Sequence, residues 1–282
     1  MTQSLARALP LMLVAMCLIP LGDSAGRILG AFHGVNPLFT AWSRFALGFL
    51  LLAPFALSWR ALGLLGDWRI WLRALFLVGG ISSILMAVKT EPIANVFGAF
   101  FVGPILGYFL SALFLREPIT PLRTSLLMIG FCGVLLVVKP GFGMTPGLGF
   151  AVLAGCFYGC YLTASRWLSG VGRPKDLLIT QLLIGAALLL PFGAPSWPPV
   201  TGDVAVWTLV SALGSALGNL LLIIALGLAP ASRLAPFVYM QLVAATVLGL
   251  VLFGDWPDLL ALQGLGLILA SGLATLALRP HR

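Results

Sequence analysis

Apolar runs separated by short clusters of Gly, Pro, Asn, Asp and Arg dominate the chain from end to end. Each run is about 20 residues, the length an α-helix needs to cross the hydrocarbon core of a bilayer. The pattern predicts ten such helices, near 8–30, 37–57, 70–88, 92–114, 121–139, 146–168, 177–195, 204–226, 230–253 and 259–278. Turn chemistry falls between them, as in Gly34-Val35-Asn36-Pro37, Lys139-Pro140-Gly141 and Arg173-Pro174-Lys175-Asp176. Backbone groups in lipid must be paired within the chain, which leaves helices or a closed barrel. The runs lack the two-residue alternation of barrel strands. An all-α membrane protein is therefore expected.

The pattern also repeats. EPIANVFGAFFVGPILGYFLSALFLREP at 91–118 is echoed by APASRLAPFVYMQLVAATVLGLVLFGDWP at 229–257, half the chain further on. Pro92 and Pro230 open the two copies, and Glu117 and Asp255 close them. DSAGRILG at 23–30 resembles TASRWLSG at 163–170, and GFLLLAP at 48–54 resembles GAALLLP at 185–191. Internal self-similarity of this length predicts two halves, 1–141 and 142–282, of five helices each. An odd number of crossings per half makes the repeats inverted, the arrangement from which alternating-access carriers are built. Arg7 and the apolar run after it also read as a secretory leader. Because that run has a partner in the second half, we expect it to stay as the first helix.

Composition adds the solvent and the orientation. Sixty per cent of the residues are hydrophobic and only 9% charged, too few charges for the surface of a soluble domain. The net charge of +8 comes from basic residues scattered singly, so no nucleic-acid stripe is expected. With the N-terminus inside, twelve basic residues fall on the cytoplasmic side, among them Arg7, Arg60, Arg73, Arg116, Arg166 and Arg233. Arg27, Lys89 and Lys139 face outwards, so the positive-inside bias puts both termini in the cytoplasm.

WSRFALGFLLLAP (42–54), FLREPITPLRTSLLMIGFCGVLLVVKPG (114–141) and the stretch 229–272 resemble the EamA type of the drug/metabolite transporter superfamily. That resemblance spans essentially the whole chain. It implies a ten-helix transporter of a bacterial inner membrane, handling amino acids, other metabolites, nucleotide-like compounds or drugs, often outward. Amino-acid export is the leading expectation. Asp255-Trp256-Pro257 against Glu117-Pro118, and the charged Lys89-Thr90-Glu91, depart from the family pattern.

Ionisable groups inside apolar spans are expensive and point to function. Asp23 and Arg27 share one helix face at i,i+4 spacing, and Arg44 sits at a similar depth on the second helix. Asp23 pairs with either arginine, leaving one guanidinium in excess. Three readings stand: an ion pair that locks the first two helices, an anion site with Arg as the bidentate partner, or snorkelling of Arg27 to the outer headgroups. In the second repeat Arg44 corresponds to Gln181, and Asp23 falls near Leu162 or Cys160. Asn95 and Gln241 offer polar groups on the fourth and ninth helices, and Trp42, Phe101, Tyr158 and Tyr239 offer stacking faces, as does Tyr161. Asp23 and Glu91 are the candidate proton carriers. Gly155-x-x-x-Gly159 and Gly214-x-x-x-Gly218 are spacings that let helices approach closely.

Searches for catalytic chemistry find little. The four cysteines lie in apolar spans, His33 and His281 are the only histidines, and no phosphate-binding glycine loop occurs. No metal, cofactor or enzymatic activity is expected. The partners are a small-molecule substrate and the bilayer, with the chain as monomer or homodimer. A membrane scaffold or enzyme subunit is the reading of a different class.

Overall fold

The computed structural model describes residues 3–91, 93–138, 145–254, 256 and 258–277. Thirteen α-helices run through them: α1 (Gln3–His33), α2 (Pro37–Ala56), the short α3 (Trp59–Gly63), α4 (Trp68–Thr90), α5 (Ile93–Phe100), α6 (Val102–Leu115), α7 (Pro121–Val138), α8 (Pro146–Trp167), α9 (Pro174–Gly193), α10 (Gly202–Leu228), α11 (Ala231–Val238), α12 (Met240–Phe253) and α13 (Leu259–Ala277). Among the described residues, seven stretches are long and apolar enough to cross a membrane, the seventh being α11 and α12 taken together. Three more, Val102–Leu115, Pro121–Leu136 and Leu259–Ser271, are apolar but shorter. Leu113, Phe114, Val251 and Leu273 are exposed on the bundle's outside. Lipid is the solvent that tolerates such a surface, and the molecule is a multi-pass membrane protein.

Local chemistry starts the helices where the turn clusters stand. Asn36 accepts from the Leu38 amide with Pro37 at the first helical position, and Thr145 accepts from the Leu148 amide ahead of Pro146. Asp67 caps α4 and bonds the Arg69 side chain, which holds its carboxyl below the usual range.

The predicted fourth and ninth helices are each broken in two. Phe101 separates α5 from α6, and Tyr239 separates α11 from α12; the register that aligns Pro92 with Pro230 also aligns these two residues. The two rings meet edge to face, 5.5 Å between centroids, and both are fully buried. The chain marks neither break with a glycine or proline at the position itself, so the apolar pattern predicts unbroken helices there.

Packing obeys the same duplication. Helix α1 lies along α10 as α4 lies along α8, while α2 pairs with α9 and α7 with α13. Gly218 packs on Ile19 and Gly80 on Phe157, two contacts that the same register interchanges. Gly48 on Leu182 and Gly185 on Phe45 are interchanged by that register slipped by one position. Both small-residue spacings serve this packing. A Cβ at Gly155 would overlap the Phe100 carbonyl, and one at Gly214 would meet the Leu18 carbonyl at 3.0 Å.

Candidate functional site

A small cavity of about 40 Å³ lies at the seam of the two halves. Its walls come from α1, α2, α4, α5, α8, α10 and α12. Phe76, Phe97, Phe100, Tyr158 and Tyr161 supply aromatic faces; Asp23, Arg44, Ser215, Asn219 and Gln241 supply polar ones.

Arg44 anchors one end. Its Nη1 donates to Asp23 Oδ1 at 2.7 Å, its Nη2 to the Gly22 carbonyl at 2.7 Å, and its Nε to Ser211 Oγ at 2.8 Å. Ser211 in turn donates to the Gly22 carbonyl. The side chain is 2% exposed, and Asp23, at 13%, keeps an edge on the cavity. A charge so buried persists only when paired and hydrogen-bonded. Of the two partners considered for Asp23, the structure selects Arg44; the Arg27 guanidinium lies over the Phe253 ring at 4.2 Å.

A second polar junction occupies the repeat-related place. The repeat register carries Asp23 onto Tyr161 and Ser211 onto Arg73. Arg73 donates from Nη2 to Tyr161 Oη at 3.2 Å, from Nε to Ser165 Oγ at 3.0 Å and from Nη1 to the Leu177 carbonyl at 3.1 Å. Tyr161 donates onward to Gln181 Oε1 at 3.1 Å. Arg73, counted in the sequence only among the basic residues of the cytoplasmic side, is a fully buried group inside the bundle. Its position in the second turn of α4 invites the topological reading, while its burial follows from α8 and α9 closing over that turn.

Between the junctions, Gln241 Nε2 donates to Tyr158 Oη at 2.9 Å and lies 3.2 Å from Met16 Sδ. Asn219 donates to the Ser215 carbonyl, and its Oδ1 has no partner among the described residues. The cavity wall thus offers unused acceptors beside flat apolar faces.

The other expected residues fall as follows. Tyr158 and Gln241 line the cavity, with Gln181 one layer behind Tyr161. Trp42 stands outside it, packed on Phe39 and Trp197, and Phe101 and Tyr239 are committed to the helix breaks. The side chain of Asn95 lies outside the described residues. Glu91, at the end of α4, accepts from Thr145 Oγ1 and does not reach the cavity wall. Asn219, Ser215, Ser211 and Phe76 join the site without having been singled out in the sequence. Uncharged polar residues in an apolar run look like packing residues; the repeat relation of Ser211 to Arg73 is the one signal along the chain that could have found Ser211.

At the far end of the bundle from Phe97, Glu117 caps α11. It accepts from the Ala231 amide at 3.2 Å and the Ser232 amide at 2.9 Å, and Arg166 Nε donates to it at 3.2 Å. Arg166 also donates to the Leu226 carbonyl, near the C-terminus of α10. Helix ends from both halves are tied there.

A duplicated helical bundle with a polar cavity at its seam defines a membrane transporter by architecture. The chain belongs to the EamA-like transporter family, whose profile matches residues 7–139 and again 145–277. It is 25% identical over 214 residues to a riboflavin transporter of Brucella anthropi, covering 72% of this chain and 74% of that one. An S-adenosylmethionine uptake transporter of Rickettsia bellii is 24% identical over 204 residues, covering 72% and 70%. A solved crystal structure superposes with a TM-score of 0.77 at 22% identity, over 96% of this chain and 97% of the other, a likeness of fold.

Proposed function

We propose that the protein is a secondary carrier of small, ring-bearing polar metabolites, working by alternating access between the halves 1–141 and 142–282. On this reading each half crosses a bacterial inner membrane five times, in opposite senses, with both termini cytoplasmic. The observation that carries it is the cavity at the repeat seam with the Asp23–Arg44 pair in its wall. In that topology the cavity lies towards the outer side, and the Glu117–Arg166 cluster closes the inner one.

Stacking faces together with Asp23, Asn219 and Gln241 as acceptors suit a flat ring that carries N–H or ammonium donors. Riboflavin and S-adenosylmethionine, named for relatives, are of that kind. So are aromatic amino acids, the form in which amino-acid export remains a reading. Of the two proton-carrier candidates, Asp23 is favoured because it borders the cavity while Glu91 does not.

Counterflow of labelled riboflavin, S-adenosylmethionine and phenylalanine in proteoliposomes tests the carrier. Arg44→Ala is expected to lower exchange at least about tenfold, the loss of one charge-assisted hydrogen bond, while Arg116→Ala at equal expression leaves it near wild type. Equal exchange by the two variants removes Arg44 from the mechanism. Absence of exchange across a broad metabolite panel overturns the carrier itself.

A further inference from the structure

Arg73 carries a positive charge at 0% exposure, and among the described residues no carboxylate lies within ion-pair distance of it. Its hydrogen-bond partners are a phenol, a serine hydroxyl and a backbone carbonyl, all neutral, and its guanidinium also lies over the Tyr161 ring at 5.1 Å. Asp176, the acid adjacent to its partner Leu177, is committed to Arg173 at 2.8 Å and to Ser58. An uncompensated guanidinium inside a membrane bundle is costly to keep, and a group retained at that cost points to use.

The repeat relation says what is missing. At the first junction Arg44 meets a carboxylate, Asp23, that borders the cavity. At the second, Arg73 meets Tyr161, which the repeat register aligns with Asp23 and which also borders the cavity. A phenol stands where the carboxylate belongs. Behind it Gln181, 1% exposed, uses one amide atom for Tyr161 and leaves the other, Nε2, without a partner. Exchanging the amide's oxygen and nitrogen would still leave one of them unpaired. The junction therefore holds a charge without a counter-charge among the described residues and an unpaired polar atom, screened from the cavity by one aromatic side chain.

The geometry points to Arg73 as the anion-recognising group of this carrier: a substrate carboxylate displaces the Tyr161 hydroxyl and bonds Arg73, with Gln181 beside it. This assignment rests on the proposed carrier function and names its substrate class, ring-bearing metabolites with an anionic group at one end. A cationic or N–H donor group then lies towards Asp23 at the opposite junction, so the cavity reads a dipolar molecule by its two ends. Arg73 acts as a specificity-determining residue, distinct from a mere tie between α4, α8 and α9.

The test uses matched probes that differ by one carboxylate: S-adenosylmethionine against its decarboxylated form, and phenylalanine against phenylalaninamide. Binding is read by thermal shift of the purified full chain and exchange by counterflow, with riboflavin as a carboxylate-free control. Wild type is expected to prefer the acid by about tenfold or more, the scale of a hydrogen bond to a charged group. Arg73→Gln is expected to erase that preference while still binding the carboxylate-free probe, and Arg73→Lys to retain part of it. A purely structural tie would lower both probes alike and leave their ratio unchanged. Tyr161→Phe, which removes the competing hydroxyl and keeps the charge, is expected to raise the acid preference about threefold, one neutral hydrogen bond's worth. It decides the matter where Arg73→Gln does not fold, and an unchanged ratio there overturns the assignment. So does an acid preference that survives in Arg73→Gln, or riboflavin exchange without recognition of either acid. Failure of every probe, riboflavin included, overturns the carrier reading and this inference with it.

Discussion

Among the described residues one guanidinium is buried at each of the two repeat-related junctions, but both come from the first half, on different helices. Arg44 comes from α2 and finds Ser211 on α10; at the related junction α9 carries Gln181, and the arginine, Arg73, comes from α4, the counterpart of α10. What the duplication has kept is one arginine per junction, and not an arginine per aligned position. Only the first junction brings its own acid. Equal charge with unequal neutralisation makes the cavity electrically one-sided, negative-edged at Asp23 and positive behind Tyr161.

Removing either arginine is the most severe way to probe that inequality. Arg44→Ala strands the Asp23 carboxylate, and an orphaned buried charge costs about 3–5 kcal/mol. Arg73→Met strands no charge, only hydroxyl and carbonyl partners, so its cost is expected near about 1–3 kcal/mol. Thermal unfolding in detergent measures both, and Asp23→Asn combined with Arg44→Gln is expected to cost less than the sum of its parts. If Arg73→Met is as damaging as Arg44→Ala, the two junctions are electrically alike and the comparison fails.

The helix seams differ in the same manner. Gly103 and Gly155 bring α6 and α8 into backbone contact, whereas the related positions on α12 and α1 are Gln241 and Cys17. Gly155→Ala drives a methyl into the Phe100 carbonyl and is expected to destabilise by about 1–3 kcal/mol, as overpacking does. Cys17 is exposed, so Cys17→Ala is expected to lie within about 0.5 kcal/mol of wild type. A large effect at Cys17 would show that the second seam is as tight as the first.

These contrasts explain what was legible in the chain. Apolar run length located the helices, because lipid enforces that length; the breaks at Phe101 and Tyr239 escaped, since neither position holds a glycine or proline. Asp23 and Arg44 stood out because any charge inside an apolar run is anomalous. Arg73 did not, for it sits near a helix start where a basic residue has an ordinary topological explanation. Asn219 and Ser215 are uncharged, and nothing along the chain says that their carbonyls and hydroxyls face a cavity. Asn95 and Trp42, judged by residue type alone, were no better marked than they were.

Glu117 and Glu91 end repeat-one helices at opposite ends of the bundle, and they carry different duties. Glu117, 8% exposed, joins two α11 amides and Arg166, while Glu91 accepts from the Thr145 hydroxyl at a more open position. Glu117→Gln keeps the shape but loses the charge at a helix N-terminus, an expected loss of about 1–2 kcal/mol. Glu91→Gln is expected to cost under about 0.5 kcal/mol, as exposed substitutions do. Release of Glu117 is also expected to raise labelling of a cysteine introduced at Ser232, and unchanged labelling would mean that the cap does not hold this end closed.

The smallest effect compares two helix ends. Arg116 closes α6 at φ 52°, and Gly254, its repeat-related partner, closes α12 at φ 71°. Both backbones are left-handed, a conformation that costs an L side chain about 1–2 kcal/mol and glycine almost nothing. Arg116→Gly removes that strain but frees the unfolded chain, an opposing term of about 0.4–1 kcal/mol. The two terms leave a stabilisation of about 0.8 kcal/mol. Gly254→Ala meets no atom within 4 Å of its new Cβ, so any loss reports backbone strain alone. Unfolding midpoints that rise for the first variant and fall for the second fit two ends with one geometry and different residues. A fall in both would mean that the Arg116 side chain contributes more than its backbone costs.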